Sequence, residues 1–455
     1  MERISSVNYR VADERDVPWT TKRLSNKLTE FSSWLLDRGR QLKALPRDPD
    51  LIRALLTADT LPDETASFRL GEVLNTYSLD GEHREHKVCG VRCGEFTKLY
   101  TVIDLGEMHP YILRENKAAP EAGGHAFDKH SSEAAISLRL GSHPHVVSTH
   151  AVYDLDGRQL LLTEYVPGET LDIHLNRRNL ELYDVLKYSI HLCRALHHAN
   201  TVFPGNFHND VKSGNCIITT GRTLKLGRLG EAPFNASETQ NKTGLDIYAF
   251  GITILEMLGV NPSRNFRKGQ IDLYRDSLEQ LYAARNVPPR FIDLIAGYMD
   301  GSRHDCPSAW TSLESDLQEI TNSLFGEYIP NEPTTPETER DVMRRAVSLA
   351  LVGHVNGAVD CIDKFAGDID SLHDLLAVKA MILTTAGHFD EAYSASTSAL
   401  MLCSSSFVVL LGHARVLISR GDLETAAAYL ERALRIRPYS RVARDLLGEV
   451  LDQLP

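Results

Sequence analysis

His208-Asn209-Asp210-Val211-Lys212-Ser213-Gly214-Asn215 is a polar loop set between a helical run, Leu180 to Ala199, and two short strand-like pieces, Cys216–Thr219 and Thr223–Leu226. The whole chain has 455 residues, enough for about three domains. Its hydrophobic share of 42% and charged share of 24% are those of a folded protein. Net charge is −12, from 49 basic and 61 acidic residues, which argues against nucleic acid as a partner, since phosphate needs a basic surface. Seven scattered cysteines fit reduced thiols better than a disulfide framework. The N-terminus does not read as a signal peptide, and no stretch approaches the ~18 apolar residues of a membrane span. These features together predict a cytoplasmic protein without membrane contact.

A His-x-Asp-x-Lys-x-x-Asn loop between a helix and a hairpin resembles the catalytic loop of protein kinases. The resemblance implies that Asp210 accepts a substrate hydroxyl proton, Lys212 steadies phosphate and Asn215 holds a magnesium ion. It extends along the chain from about Tyr77 to Phe325. Lys98–Ile103 and Tyr111–Leu113 are rich in strand formers, with Gly106 and Pro110 marking the turn between them. The family's glycine-rich loop falls at residues 92–100. Gly94 keeps one of its three glycines, while Arg92 and Thr97 stand at the other two. The strand lysine that grips the nucleotide phosphates falls on Arg114, with Lys117 the nearest lysine. Glu133, on a helix expected from Phe127 to Leu140, resembles that cation's acidic partner. His143-Pro144-His145-Val146-Val147 resembles the family's His-Pro-Asn-Ile-Val. Leu160 to Gly168 resembles the fifth strand and hinge, which puts Thr163, Glu164 and Val166 at an adenine pocket.

The departures from the family pattern are coherent. Leu224–Gly230 places Arg228 where the family has the Asp that is its principal magnesium ligand, and a cation there carries the wrong sign. Gly244–Gly251 resembles the start of the family's buried central helix. Residues 231–245 are too few for the usual activation segment, and the Ala-Pro-Glu anchor is missing. Its arginine partner is missing too, since Asp305-Cys306-Pro307 has cysteine at that place. The resemblance therefore implies a degenerate kinase, or pseudokinase, for which ATP is the expected nucleotide and Arg228 argues against magnesium. The alternative reading is an active, atypical serine/threonine kinase or phosphotransferase using Asp210.

Residues 1–75 carry apolar positions at helical spacing, such as Leu24, Leu28, Phe31 and Leu35, and predict an N-terminal helical segment. His83, His86, Cys89 and Cys93 have a spacing loosely like zinc ligands, but strand alternation would splay them to opposite faces, and they are read as strand and loop. Residues 329–338 form a linker by composition. Beyond it, a shift of 34 aligns Ala346, Ala380 and Ala414; Leu349, Leu383 and Leu417; Gly353, Gly387 and Gly421; and Ala358, Ala392 and Ala426. This pattern resembles tetratricopeptide repeats, with Phe365 and Ser396 departing at packing positions. The expected fold is thus a two-lobed α+β protein-kinase-like domain followed by an all-α repeat solenoid. Its expected divisions are lobes at 76–166 and 167–328, three repeats at 339–440 and a capping helix at 441–455. The resemblance implies a signalling or scaffold protein of bacterial type, whose repeats take a protein or peptide partner on a concave face lined by their first helices.

Overall fold

The computed structural model describes residues 50, 54, 66–93, 97–116, 134–155, 158–203, 210–227, 243–260, 287–299, 309–365 and 372–454. The expected helices before residue 66, apart from Asp50 and Ala54, lie outside them. So do Gly94, Lys117, Glu133, Arg228, the segment 231–242 and Asp305–Pro307.

Alternating apolar residues build a six-stranded antiparallel sheet from β1 (Val73–Tyr77), β2 (His83–Cys93), β3 (Thr97–Asp104), β4 (His109–Asn116), β5 (Thr149–Leu155) and β6 (Arg158–Glu164). Their order is β1-β2-β3-β4-β6-β5, so β5 is an edge strand although it precedes β6 in the chain. One face buries Tyr100, Val102, Leu113, Leu160 and Leu162 beneath Phe68. Cross-strand partners share a face. The pairs Leu99↔Arg114, Arg114↔Leu161 and Ile112↔Thr163 therefore put Arg114, Leu161 and Thr163 together on the other face. That second face packs on helix α1 (residues 134–140) through Ala134, Ala135 and Leu138.

The second lobe is mostly helical. Chain order gives β7 (Gly168–Thr170), α2 (Leu171–Arg177), α3 (Leu182–Val202), β8 (Cys216–Thr219), β9 (Leu224–Leu226), α4 (Thr243–Met257), α5 (Pro289–Met299) and α6 (Ala309–Phe325). α3 is sunk in the core: Leu186, Ile190, Leu192, Cys193 and Ala195 are all buried. α4 adds Phe250, whose ring meets Trp310 of α6 edge-on at 5.9 Å. The segment 329–338 forms neither helix nor strand, and its start is held to this lobe. The Arg194 guanidinium donates to the carbonyls of Ile329 (2.9 Å) and Pro330 (2.7 Å) while binding Glu314.

The C-terminal region is all helical among the described residues: α7 (Glu339–Leu351), α8 (Val355–Phe365), α9 (Leu372–Thr385), α10 (Phe389–Leu402), α11 (Phe407–Ser419), α12 (Leu423–Ile436) and α13 (Arg441–Leu451). Three of its turns share one geometry. Gly353, Gly387 and Gly421 have φ of 84°, 81° and 79°, and the next residue's N–H reaches back to Leu349, Leu383 and Leu417 at 2.8, 2.9 and 3.0 Å. That is a Schellman C-cap, which needs a left-handed residue and so favours glycine. Ala346, Ala380 and Ala414 on the first helices, and Ala358, Ala392 and Ala426 on the second, are fully buried. The small side chains let the paired helices close up, so the 34-residue sequence period corresponds to a repeated helix–turn–helix geometry.

The helical region is not a free-standing tail. α7 lies against β5, and its Ser348 hydroxyl accepts the Val152 N–H at 2.9 Å. Val342, Ala346 and Leu349 of α7 share one core with Val152, Leu161 and Leu138. The β1–β2 turn reaches α11, where a Cβ placed on Gly81 would stand 3.0 Å from both Phe407 and Leu411. Gly81 also has φ +78°, whereas Gly71, at φ +83°, has open space around it. Gly71→Ala is therefore expected to cost the backbone penalty alone, about 1 kcal/mol. Gly81→Ala should cost clearly more in urea denaturation, and equal losses would deny the contact with α11.

Candidate functional site

The expected catalytic loop is assembled where β8 begins. Val211 is buried in the second-lobe core, which fixes the loop from beneath. Ser213–Asn215 make a single 3-10 turn, closed by the Asn215 N–H to the Lys212 carbonyl at 2.9 Å. The Asp210 carboxylate receives Lys212 Nζ on Oδ1 and Asn215 Nδ2 on Oδ2, each at 2.8 Å. Asn215 Nδ2 also donates to the Asp210 carbonyl at 2.7 Å. Asp210, Lys212 and Asn215 thus form one connected group, with Asp210 oriented through both oxygens. Asn215 is 2% exposed, and its Oδ1 is buried without a hydrogen-bond partner among the described residues. Its backbone carbonyl accepts the Gly227 N–H at 2.9 Å, so the loop is tied to the residue just before Arg228.

The expected hinge residues lie at the end of β6 and just after it. Thr163 and Glu164 end β6, and Val166 lies between β6 and β7. Thr163 donates its hydroxyl to the Ile112 carbonyl at 3.3 Å. Glu164 accepts the Ser148 N–H at 2.8 Å and pairs with Lys225 Nζ at 2.7 and 2.9 Å. This ion pair joins the first lobe's last strand to β9 of the second lobe. Sequence reasoning missed Lys225, which only the register of the β8–β9 hairpin aims at the hinge. Arg114 is 7% exposed on the face that carries Thr163. Gly94, Glu133 and Arg228 lie outside the described residues.

The oxygen donors seen here are one neutral amide oxygen and a carboxylate already paired with Lys212. Magnesium calls for octahedral oxygen ligation anchored by carboxylate. Among the described residues this donor set falls short of a conventional magnesium site, although the Asn215 Oδ1 would suit a cation or an N–H donor. No group of three or more His, Cys, Asp or Glu side chains among the described residues is placed to hold a metal ion. His83 and His86 sit on β2 with Cys89, and His86 is fully buried against Tyr153. Burial lowers its pKa to about 4.

Behind the site, four histidines form two stacks. His145 lies on His191 with centroids 4.2 Å apart, and His143 on His198 at 4.4 Å. The inner stack grips one residue: His145 Nδ1 donates to the Leu224 carbonyl at 3.2 Å, and the Leu224 N–H donates to His191 Nδ1 at 3.1 Å. The accepting Nδ1 makes His191 neutral; the donating Nδ1 gives His145 the opposite tautomer, and burial keeps that ring neutral as well. Burial is the main cause that lowers His143, His145 and His191 to about 3, 4 and 2, helped by the neighbouring imidazoles for His143 and His191. β9, which leads to position 228, is thus hung between two uncharged rings.

The family profile described as "Protein tyrosine and serine/threonine kinase" matches residues 116–244, which includes this loop, the hinge and the hairpin. The serine/threonine-protein kinase-like protein CCR2 of Arabidopsis thaliana is 28% identical over 220 residues, covering 46% of this chain and 27% of that protein. This chain carries a protein-kinase-like domain. The probable serine/threonine-protein kinase kinX of Dictyostelium discoideum is 24% identical over 255 residues, covering 51% of this chain and 23% of that protein. The chain thus spans only about a quarter of the length of these relatives. The kinase domain of Mycobacterium tuberculosis PknI superposes with a TM-score of 0.42 at 19% identity, over 55% of this chain and 100% of that one. Among the described residues, no helix is long and apolar enough to cross a membrane.

The histidine stacks of the kinase-like domain set a pH dependence. Each lowered imidazole binds fewer protons folded than unfolded, so stability is full above about pH 6.5 and falls as the pH drops towards about 4. The slope is about 1.4 kcal/mol per pH unit for each proton excluded. His145→Asn should flatten the urea-denaturation stability profile between pH 6.5 and 4 by up to one such proton. A profile as steep as the parent's would show that His145 is not held neutral.

Proposed function

We propose that this chain is a degenerate kinase-like protein, a pseudokinase, whose cleft binds a nucleotide such as ATP and whose C-terminal helices are tetratricopeptide repeats serving a signalling or scaffold role. The observation that carries the reading is the Asp210–Lys212–Asn215 group, ordered beside a position where the sequence has Arg228 in place of a metal-binding carboxylate. A preorganised electrostatic element is worth about 3–4 kcal/mol to a transition state, or 10²–10³ in rate. Loss of the metal ligand and of two loop glycines therefore removes most of the means for phosphoryl transfer while the sequence keeps Arg114, Lys212 and Arg228 as cations for phosphate.

In this reading Arg228 takes over part of the magnesium ion's work. Its planar fork of N–H donors matches phosphate, and Arg114 supplies the second cation. Thr163, Glu164 and Val166 would line the adenine side, with Gly94 the remaining glycine over the phosphates and Glu133 the partner of Arg114. The repeats are read as tetratricopeptide-like from their 34-residue period and their common glycine turns. A protein or peptide partner remains the expected ligand of that array.

One observation favours the second reading, an active serine/threonine kinase or other phosphotransferase. Asp210 is held through both carboxylate oxygens, and Asn215 Oδ1 has no hydrogen-bond partner among the described residues.

Two measurements separate these readings. Incubation with labelled ATP and magnesium or manganese should give no transfer to generic protein substrates above the Asp210→Ala background; robust incorporation lost in that variant would establish the enzyme. Calorimetry with ATP in EDTA should show binding that Arg228→Ala weakens by about 1.5–3 kcal/mol, the worth of a hydrogen bond to a charged group. Strict magnesium dependence, or unchanged affinity in that variant, rules out direct contact by Arg228.

A further inference from the structure

An edge strand exposes a row of unpaired amides, and folded proteins cover or blunt such edges. Among the described residues β5 pairs only with β6 in the sheet, and the covering element is supplied by the C-terminal region. α7 delivers Ser348 to the Val152 N–H and buries Val342, Ala346 and Leu349 against the sheet and α1. Beside this apolar contact lies a cluster of charge. Arg344, 7% exposed, pairs with Glu107 at 2.7 Å, and Arg340 pairs with Glu82. On the sheet side Arg84 binds Asp104 at 2.9 Å and Glu107 at 2.8 Å. Burial opposes the Arg84 charge, yet Glu82, Asp104 and Glu107 together raise its pKa, so the network is ionised on both sides. A second contact lies further along the array, where the β1–β2 turn meets Phe407 and Leu411 of α11. α7 and α11 are first helices of their pairs, the helices expected to line a partner groove.

We propose that the array's docking surface is occupied by the chain's own sheet, and that α7 acts as an intramolecular clamp on β5 that controls the hinge. The connection to the hinge is short. Thr149 of β5 pairs with Thr163, and Ser148, one residue before β5, donates to Glu164, which holds Lys225 of β9. Drawing α7 off β5 therefore loosens the strand that orders Thr163 and Glu164 and the ion pair that ties the lobes. A protein that uses the α7 or α11 face competes with the sheet, and must offer carboxylates in place of Glu82 and Glu107. The hinge role rests on the nucleotide reading above; the clamp itself does not.

Hydrogen–deuterium exchange on the full chain tests both. In Arg340→Glu/Arg344→Glu, peptides covering residues 149–155 should exchange at least about ten-fold faster, as expected when a covered edge opens. Peptides from α9 to α13 and from β8–β9 should keep the parent's protection, which verifies that the fold survives. Ser348→Ala is the milder variant: fragmentation to single amides should show faster exchange at Val152 above all. Unchanged β5 exchange in both variants overturns the clamp, and a fast Val152 amide in Ser348→Ala upholds it even where the double variant does not fold. ATP in EDTA is the second probe. A shift of at least about three-fold in its affinity, with faster exchange at residues 163–164, supports hinge control, and β5 opening with the hinge unmoved rejects it. If ATP does not bind the parent protein, the nucleotide reading fails while the β5 exchange still decides the clamp.

Discussion

The closing of β5 is the constraint on which much of the first lobe depends. The sheet has two faces, one filled by its own aromatic and aliphatic residues and one by α1 and α7. Without α7, Val152 and Leu161 would lose part of their cover and the Val152 amide its acceptor. At ~25 cal/mol per Å² of apolar area, a helix face of this kind supplies a driving force that a short strand edge cannot generate alone. The ion pairs around it matter for a different reason. Arg84 and Arg344 are each only 7% exposed, so removing one carboxylate strands a buried charge, and such losses are far larger than those of surface pairs. Apolar burial thus provides the affinity of the contact, and the charges fix its register.

The second lobe solves a related problem with histidine. Leu224 lies in a buried three-residue strand whose backbone groups are only partly served by β8. Two imidazoles of opposite tautomer complete the set, one donating and one accepting. An amide side chain could do either job, but a flat ring also stacks, and the pair fills space that would otherwise be a void. The cost is that neither ring can take up a proton without losing one of these bonds or burying a charge.

How far the sequence could be read depended on the range of the interaction. Local signals worked: Cys216–Thr219 is β8 as expected, α3 runs from Leu182 to Val202 where Leu180 to Ala199 was expected, and the glycines at a 34-residue spacing sit in matching turns. The Asp210–Lys212–Asn215 group was legible because the whole of it lies within one short loop. Arg114 and Thr163 share a face because the unbroken register between β4 and β6 preserves strand parity. Lys225 was not legible, since its partner Glu164 lies 61 residues away and only the packing of two lobes joins them. The interface between α7 and β5 was equally hidden. Ser348 and Val152 are 196 residues apart, and nothing in the amphipathic pattern of a helix names the surface it will cover. The composition of 329–338 names a linker but not its anchor, which is Arg194 binding the carbonyls of Ile329 and Pro330 from 135 and 136 residues away.

The common glycine turns give the array a mechanical polarity. In a stacked array each helix pair rests on its neighbours, so loss of order propagates from whichever end is less supported. α7 is braced by the sheet, while at the other end α13 has α12 behind it and leaves Leu451 53% exposed; in the turn before it Tyr439 is 90% exposed. Among the described residues of 339–454 the sheet therefore grips the array at two points, α7 and α11, where Phe407 and Leu411 meet the β1–β2 turn. Order lost at α13 and α12 meets the second of these braces first, so strain entering through α11 passes to the sheet at that turn as well as through α7.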